Sequence, residues 1–362
     1  MTLSRVILST GGTGGHIFPA LAVAQELRDR NPGVDILFMG GSGPEGELAT
    51  RHGLKFQALP ARGIIGRGVS GLLSGLGWLG LGLPRAMAAV LRFRPDAAIG
   101  FGGYAGFCPI LAARLLFVPT AVHEQNSVPG VTNRVLGKLV KRIFLSFPDT
   151  GSAFPARKCV ITGNPVRRAI ADAAEARKER VRGRLLLVLG GSQGARPVND
   201  AVIAALPALM AAGVTLVHQA GKADFQRVRA SYEAAGADPS QVRDFIEDMA
   251  AEYARADLAL CRAGATTVFE VAAAGVPAIF VPFPQATHDH QTRNAKAMAA
   301  LGAAVLLPQA KLAEGRLAEE IAALLGDGTR LDDMEQAARG FARKRAAADI
   351  AQGLEALAAK EG

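Results

Sequence analysis

The sequence predicts an α/β protein of two Rossmann-like parallel-sheet domains facing each other across a cleft. Three observations carry this. Strand and helix signals alternate from one end of the chain to the other, the pattern of parallel α/β domains. An apolar strand running into a Gly-Gly-hydroxyl-x-Gly turn occurs once in each half, as 6–10 before GGTGGH (11–16) and 185–189 before GGSQGA (190–195). The chain is also long enough, at 362 residues with 49% hydrophobic and 20% charged, for two cored domains.

Taken in order, the first strand and its loop end at His16, and a helix follows with Pro19 near its first turn. Gly-rich turns after strands let backbone N–H groups approach a phosphate, and the dipole of the next helix favours negative charge. A third such turn, GFGG at 100–103, precedes Tyr104. Three of them in register are better explained by phosphate binding than by tight turning alone. His16 closes the first loop, where an imidazole of ordinary pKa, about 6.5, suits deprotonation of a hydroxyl. HEQN at 123–126 ends another strand and brings Glu124 and Asn126 to the same rim. One of these groups is the candidate base, with the others orienting an acceptor, and the residues alone leave that choice open.

The stretch 48–95 holds no acidic residue and carries Arg51, Lys55, Arg62, Arg67, Arg85, Arg92 and Arg94. They flank an apolar, Gly-rich run, 69–83, with Leu72, Leu76, Trp78 and Leu79. That run is shorter than the roughly 20 residues of a spanning helix, and Pro84 is expected to end it. Basic flanks on an apolar face suit partial insertion into an anionic membrane surface. Gly163-Asn164-Pro165 is the expected joint between domains, since Asn-Pro breaks regular structure. This divides the chain into an acceptor- and membrane-binding domain, 1–163, and a donor-binding domain, 164–342, followed by a helical tail, 343–362.

In the second half, 261–295 reads as strand (257–261), turn at Gly264, short helix, strand (277–281), polar loop, and a helix around Asn294. Arg262, Thr266, Thr267, Glu270, His288, His290 and Gln291 gather where strands end and helices begin, the edge at which open parallel sheets bind ligands. Glu270 has two readings. It accepts hydrogen bonds from the vicinal hydroxyls of a ribose, as a Rossmann acidic residue does. Alternatively, Thr267-x-x-Glu270 is a capping box at a helix start. With its neighbours, the segment reads as a pocket for a sugar nucleotide.

Neither Gly-rich loop spells a P-loop or a nicotinamide fingerprint. There is no D-x-D, and His288 and His290 lack a third ligand at suitable spacing, so no tightly bound metal is expected. Cys108, Cys159 and Cys261 form no metal pattern and suit a reducing compartment. No secretory segment precedes the first strand. The net charge of +9 calls for anionic partners; with no nucleic-acid module, it is assigned to lipid and phosphate.

With these residues in hand, the chain closely resembles the MurG family of bacterial peptidoglycan glycosyltransferases. The motifs are GGTGGH, GFGGY, HEQN, GNPVR, GGSQGA, FIEDM, CRAGA and HQTRNA, in order over nearly the whole chain. The resemblance implies the GT-B architecture, with the tail packing back on the first domain. It implies inverting transfer of N-acetylglucosamine from UDP-N-acetylglucosamine to the C4 hydroxyl of the undecaprenyl-pyrophosphoryl-muramoyl-pentapeptide, lipid I. The product is lipid II, for cell-wall biogenesis, cell shape and division. The implied location is the cytoplasmic face of the bacterial inner membrane, with no cofactor; a cell-wall synthesis assembly is a further candidate partner.

For the donor, the family motifs imply that Ser192, Gln193 and Gly194 hold the phosphates and that Arg167 lies in the donor site. They imply that backbone at Ile246 reads the uracil, that Glu270 binds the ribose, and that Gln291 recognises sugar hydroxyls. Arg262, Ala265, Thr266, Asn126, Thr13, Gly14 and Gly15 complete the implied donor set. On the acceptor side, Thr13, Gly14, Gly103 and Tyr104 would meet the lipid pyrophosphate. His16 and Glu124 would be the catalytic groups, with His16 the preferred base. The chain departs from the family where His290 precedes Gln291, since some members carry a Gln pair. It departs again at Gly106-Phe107, where small polar residues are common. Two other functions fit many of the same residues: a UDP-N-acetylglucosamine epimerase, and a non-catalytic membrane-surface protein that binds nucleotide sugar.

Overall fold

Short, mainly apolar strands such as RVILS and LLLVL form parallel sheets covered on both faces. The structure, a computed structural model, describes residues 3–60, 68–191 and 193–359. Contacts divide the chain into one unit of Met1–Arg167 with Arg343–Gly362 and a second of Arg168–Ala342.

The first unit runs β1 (Arg5–Ser9), α1 (Gly14–Arg30), β2 (Asp35–Gly40), α2 (Glu45–Arg51), β3 (Lys55–Ala58), α3 (Gly68–Phe93) and β4 (Ala97–Gly100). It continues with α4 (Phe107–Leu115), β5 (Thr120–Glu124), α5 (Val131–Leu139), β6 (Arg142–Leu145) and β7 (Cys159–Ile161). Its sheet is parallel, in the order β3-β2-β1-β4-β5-β6-β7. Alternation along β1 divides the core. Val6 and Leu8 pack with Ala20, Val23 and Leu27 of α1. Ile7, on the other face, packs with Ala89 and Val90 of α3 and Ile110 of α4.

The second unit runs α6 (Arg168–Ala176), β8 (Leu185–Leu189), α7 (Arg196–Ala211), β9 (Thr215–Gln219), α8 (Phe225–Ala234), β10 (Val242–Arg243) and α9 (Met249–Arg255). Next come β11 (Leu258–Cys261), α10 (Ala265–Ala274), β12 (Ala278–Phe280), α11 (His290–Ala299), β13 (Ala304–Leu306), α12 (Leu317–Gly326) and α13 (Gly328–Phe341). Its parallel sheet has the order β10-β9-β8-β11-β12-β13. The last helix, α14 (Ala346–Ala359), belongs to the first unit, where Ile350, Ala351 and Leu354 join the α1 side of the core. Arg30 pairs with Glu355 on that seam at 2.7 Å.

Both orders reverse once, between β1 and β4 in the first sheet and between β8 and β11 in the second. Chain connections leave these strand pairs in opposite directions, opening a crevice at their carboxyl ends. Each crevice receives a Gly-rich loop.

One expectation about helices needs correction. Pro84 does not end the apolar run; it lies inside α3, which continues to Phe93. The following residues are strong helix formers whose Ala86, Ala89 and Val90 are buried against the sheet and α4, and this packing outweighs the backbone hydrogen bond lost at proline. Pro19 stands near the first turn of α1, as its sixth residue.

A buried polar network braces the second unit. His218 is fully buried, with Nδ1 3.0 Å from the Tyr232 hydroxyl and Nε2 3.0 Å from Asn199 Oδ1. Asn199 Nδ2 donates to the Ala220 carbonyl at 3.0 Å, fixing the turn after β9. Burial pushes the His218 pKa down to about 4, which keeps the ring neutral. At the opposite end of this sheet, Asp257 holds the strand entry by accepting the N–H groups of Gly183 and Leu185, and pairs with Arg180.

Candidate active site

In the first unit, β1 ends into Gly11-Gly12-Thr13 and β4 into Phe101-Gly102-Gly103, side by side at the crevice. A cavity of about 340 Å³ lies there, with Thr13, His16, Glu45, Gly103 and Tyr104 in its wall. The two loops touch through glycine. A Cβ on Gly103 would stand 2.1 Å from the Gly11 carbonyl oxygen, and Gly103 has φ +76°. Both the contact and the left-handed backbone exclude a side chain. A Gly103→Ala variant is therefore expected to lose about 1–3 kcal/mol of stability from backbone strain alone. Parallel urea melts of the two proteins would register the loss.

Glu45, at the start of α2, is 2% exposed and accepts the Gly12 N–H at 2.9 Å, while its other carboxylate oxygen is buried without a hydrogen-bond partner. Sequence reasoning passed over it. The signal, a carboxylate just after the loop of a neighbouring strand, has meaning only once β1 and β2 are paired.

The HEQN segment closes the other side of this crevice. His16 Nδ1 lies 3.0 Å from Gln125 Oε1, and Gln125 Nε2 reaches the Phe101 carbonyl at 2.9 Å and His123 Nδ1 at 3.1 Å. His123 Nε2 lies 3.1 Å from the Gly163 carbonyl, and burial takes its pKa down to about 4. Glu124 is 1% exposed. One oxygen accepts the Asn126 N–H at 3.0 Å; the other accepts Gly130 N–H at 3.1 Å and Asn133 Nδ2 at 2.9 Å. Burial raises its pKa, and the bonds from Asn126, Asn133 and Gly130 oppose the rise. A carboxylate enclosed in this way shapes the 124–130 turn and holds Asn126 in place. Asn126 is also tied through its carbonyl, which accepts the Thr150 hydroxyl at 3.0 Å. The guanidinium of Arg167 stacks over Phe18 of α1, 4.5 Å from the ring centroid.

In the second unit, β8 ends into the loop 190–195, of which Ser192 lies outside the described residues. Gly194 has φ +80°, and a Cβ there would meet the Ala220 carbonyl oxygen at 2.5 Å, so the loop is seated directly on the turn braced by Asn199. Beside it, β11 runs into Arg262 and α10. That helix begins at Ala265 with Gly264 as its N-cap, so Thr267 and Glu270 lie inside it and form no capping box. Glu270 is 6% exposed. Ala265 is buried in the first turn, and Thr266 follows it half-buried.

Two donor candidates are engaged in shaping neighbouring loops. Arg262 donates to the carbonyls of Val281 and Pro282, both at 3.1 Å, and to Gln309 Oε1 at 2.7 Å. It braces the turn after β12, and burial lowers its pKa. Gln291, near the start of α11, accepts the Phe283 N–H at 3.0 Å, pinning the opposite end of the same loop. The Ile246 N–H is taken by Gln219 Oε1 at 2.9 Å. Gln193 is exposed at the loop tip. Among the described residues, no three His, Cys, Asp or Glu gather as a metal-holding group.

The basic, apolar face expected at 62–94 is only partly visible. Arg67 and the side chains of Leu72, Leu76 and Trp78 lie outside the described residues. Leu79 is half-buried against the core; Arg85 is exposed, and Leu81 is 59% exposed. No described helix is long and apolar enough to cross a membrane. The same unit also carries a patch that the sequence reading missed. Phe117 is 84% exposed, with Leu115, Val131, Val135 and Leu139 exposed as well. Arg114 Nε donates to the Leu139 carbonyl at 3.0 Å, joining the ends of α4 and α5. Arg134 and Lys138 stand exposed along the stripe 131, 135, 139. The four-residue spacing was legible, but sequence does not say whether that stripe or the face of Asn133, Leu136 and Gly137 is buried.

Comparison with known proteins gives consistent matches. Residues 6–145 match the glycosyltransferase family 28 N-terminal domain, and residues 185–353 match its C-terminal domain. The UDP-N-acetylglucosamine–N-acetylmuramyl-(pentapeptide) pyrophosphoryl-undecaprenol N-acetylglucosamine transferase of Nitratidesulfovibrio vulgaris is 54% identical, over 99% of each chain. The protein of that name from Solidesulfovibrio magneticus is also 54% identical, over 99% of this chain and 100% of its own. The crystal structure of Acinetobacter baumannii MurG superposes with a TM-score of 0.77 at 34% identity, covering 97% of this chain and 99% of that one. The fold is the GT-B architecture of two Rossmann-like domains.

Proposed function

The chain belongs to glycosyltransferase family 28 in both its domains, and we propose on that premise that it moves N-acetylglucosamine from UDP-N-acetylglucosamine onto N-acetylmuramyl-(pentapeptide) pyrophosphoryl-undecaprenol. It is a glycosyltransferase. The observation that carries the choice of donor and acceptor is the 54% identity, end to end, to transferases bearing that name.

The reaction is an inverting displacement. The C4 hydroxyl oxygen of the muramoyl sugar attacks the anomeric carbon of the donor from the face opposite UDP. The bond from that carbon to the UDP oxygen breaks as the new glycosidic bond forms. The hydroxyl proton passes to His16. Charge developing on UDP is met by the N–H groups of the 190–195 loop and the start of α7, in place before reaction and so acting without reorganisation. Glu270 binds the ribose and Gln291 the donor sugar, while Glu124 acts by positioning Asn126. No metal takes part. Support comes from the two glycine loops at the sheet reversals and from the position of His16 in the wall of the first-unit cavity.

The protein acts at the cytoplasmic face of the membrane, where its acceptor lies. The exposed apolar patch around Phe117, bordered by Arg114, Arg134 and Lys138, would insert its rings and aliphatic chains while the cations meet anionic headgroups. Burying a phenylalanine side chain contributes about 1.5–3 kcal/mol. A Phe117→Ser variant is therefore expected to bind phosphatidylglycerol vesicles about 10- to 100-fold more weakly at unchanged UDP affinity, as measured by co-sedimentation.

The deciding experiment incubates the protein with radiolabelled UDP-N-acetylglucosamine, with and without a short-chain lipid acceptor, in the presence of chelator. Label entering the lipid fraction only with acceptor is the expected result. An epimer formed from donor alone, or UDP binding with no transfer, would overturn the proposal in favour of an epimerase or a binding protein.

A further inference from the structure

Gln125 joins His16 to the interior, and its orientation is fixed by its neighbours. Its Nε2 stands 2.9 Å from the Phe101 carbonyl oxygen, 3.3 Å from the His123 carbonyl oxygen and 3.1 Å from His123 Nδ1. Turning the amide over would set its oxygen against two carbonyl oxygens. The end facing His16 Nδ1, at 3.0 Å, is therefore the amide oxygen. An amide oxygen only accepts, so His16 Nδ1 carries the proton.

We propose that Gln125 is a positioning residue that holds His16 in the Nδ1–H tautomer and so keeps the lone pair on Nε2, the atom that takes the acceptor hydroxyl's proton. The assignment of His16 as the base rests on the function proposed above; the tautomer does not. The same logic runs inward. The Gln125 amide N–H requires His123 Nδ1 to accept, so His123 Nε2 donates to the Gly163 carbonyl, 3.1 Å away. A neutral buried His123 is thus the back wall that fixes the amide, and the amide fixes the outer ring. In the better-known arrangement a carboxylate orients the histidine and stabilises its protonated form. A neutral amide orients the ring without adding negative charge, so it selects the tautomer without making the imidazolium persistent. The cavity wall that carries His16 also holds Glu45 and Tyr104.

The test is ¹⁵N NMR of the full-length protein with labelled histidine, whose six rings are assigned by single replacement. In the unmodified protein at pH 8, His16 should show a pyrrole-type Nδ1 and a pyridine-type Nε2. The reverse pattern would overturn the proposal, and this readout needs neither a variant nor an active enzyme. In Gln125→Leu, of similar size, His16 should shift toward the Nε2–H form usual for free imidazole. There kcat should fall roughly 10- to 100-fold, the scale of a misdirected base, with UDP affinity and acceptor KM within about twofold. A Gln125→Leu variant that keeps both the tautomer and kcat would also overturn it. If the tautomer is as stated but His16→Ala transfers normally, only the assignment of the base fails.

Discussion

Replacing His16 with alanine will lower kcat by roughly 10²- to 10⁴-fold, the range that a positioned general base contributes. The side chain sits in the first turn of α1, half-buried in the wall of the first-unit cavity. It is not part of the apolar clusters on either face of the first sheet, so its loss should leave the fold and UDP affinity intact. Steady-state transfer assays beside calorimetric UDP titration separate the two effects. Near-normal turnover with intact donor binding would remove His16 as the base. It would return attention to Asn126 and the acceptor's own phosphate, since Glu124 has both oxygens engaged in the turn it closes.

The second large effect is expected at Glu270. A hydrogen bond to a charged acceptor contributes about 1.5–3 kcal/mol, so Glu270→Ala should raise the donor KM and the dissociation constant for UDP by about 10- to 100-fold. Acceptor KM should hardly move, because Glu270 belongs to the second unit. Its place in α10 is compatible with this: Gly264 is the N-cap, so Glu270 is not part of a capping box. Fluorescent UDP displacement is the direct measurement, and unchanged UDP affinity would sink the ribose assignment.

Much of this architecture was legible because glycine and strand patterning act locally. A buried strand followed by Gly-Gly-x-x-Gly specifies a tight turn into a helix whatever surrounds it, and both such turns stand at the sheet reversals. The same argument carried the donor-side segment 257–295, where Leu258–Cys261 and Ala278–Phe280 fall within the strands expected. Pro84 was misread because the rule that proline ends helices ignores the packing of Ala86, Ala89 and Val90. Roles were harder to read than elements. Arg262 was placed in the donor set, and only the folded chain brings the carbonyls of Val281 and Pro282 against it. Glu45 and Gln125 matter through neighbours 33 and 109 residues away in sequence, a separation that no local pattern encodes.

The two buried histidines make the protein a proton sink when it unfolds. His123 in one unit and His218 in the other are each held down to about 4 by burial, whereas an unfolded histidine titrates at about 6.5. Each neutral ring favours the folded state by about 3 kcal/mol above pH 6.5, and that contribution is lost progressively as pH falls toward 4. In the middle of this window, unfolding draws about two protons from the buffer through these rings alone, about one per unit. The calorimetric unfolding enthalpy at pH 5 should therefore change with the ionisation enthalpy of the buffer, and His218→Gln should reduce that dependence by about one proton; a slope left unchanged would mean that this ring titrates normally in the fold. Mild acidification loads both units at once, so a fall in pH that leaves the transfer chemistry intact still erodes the first and second units of the enzyme together.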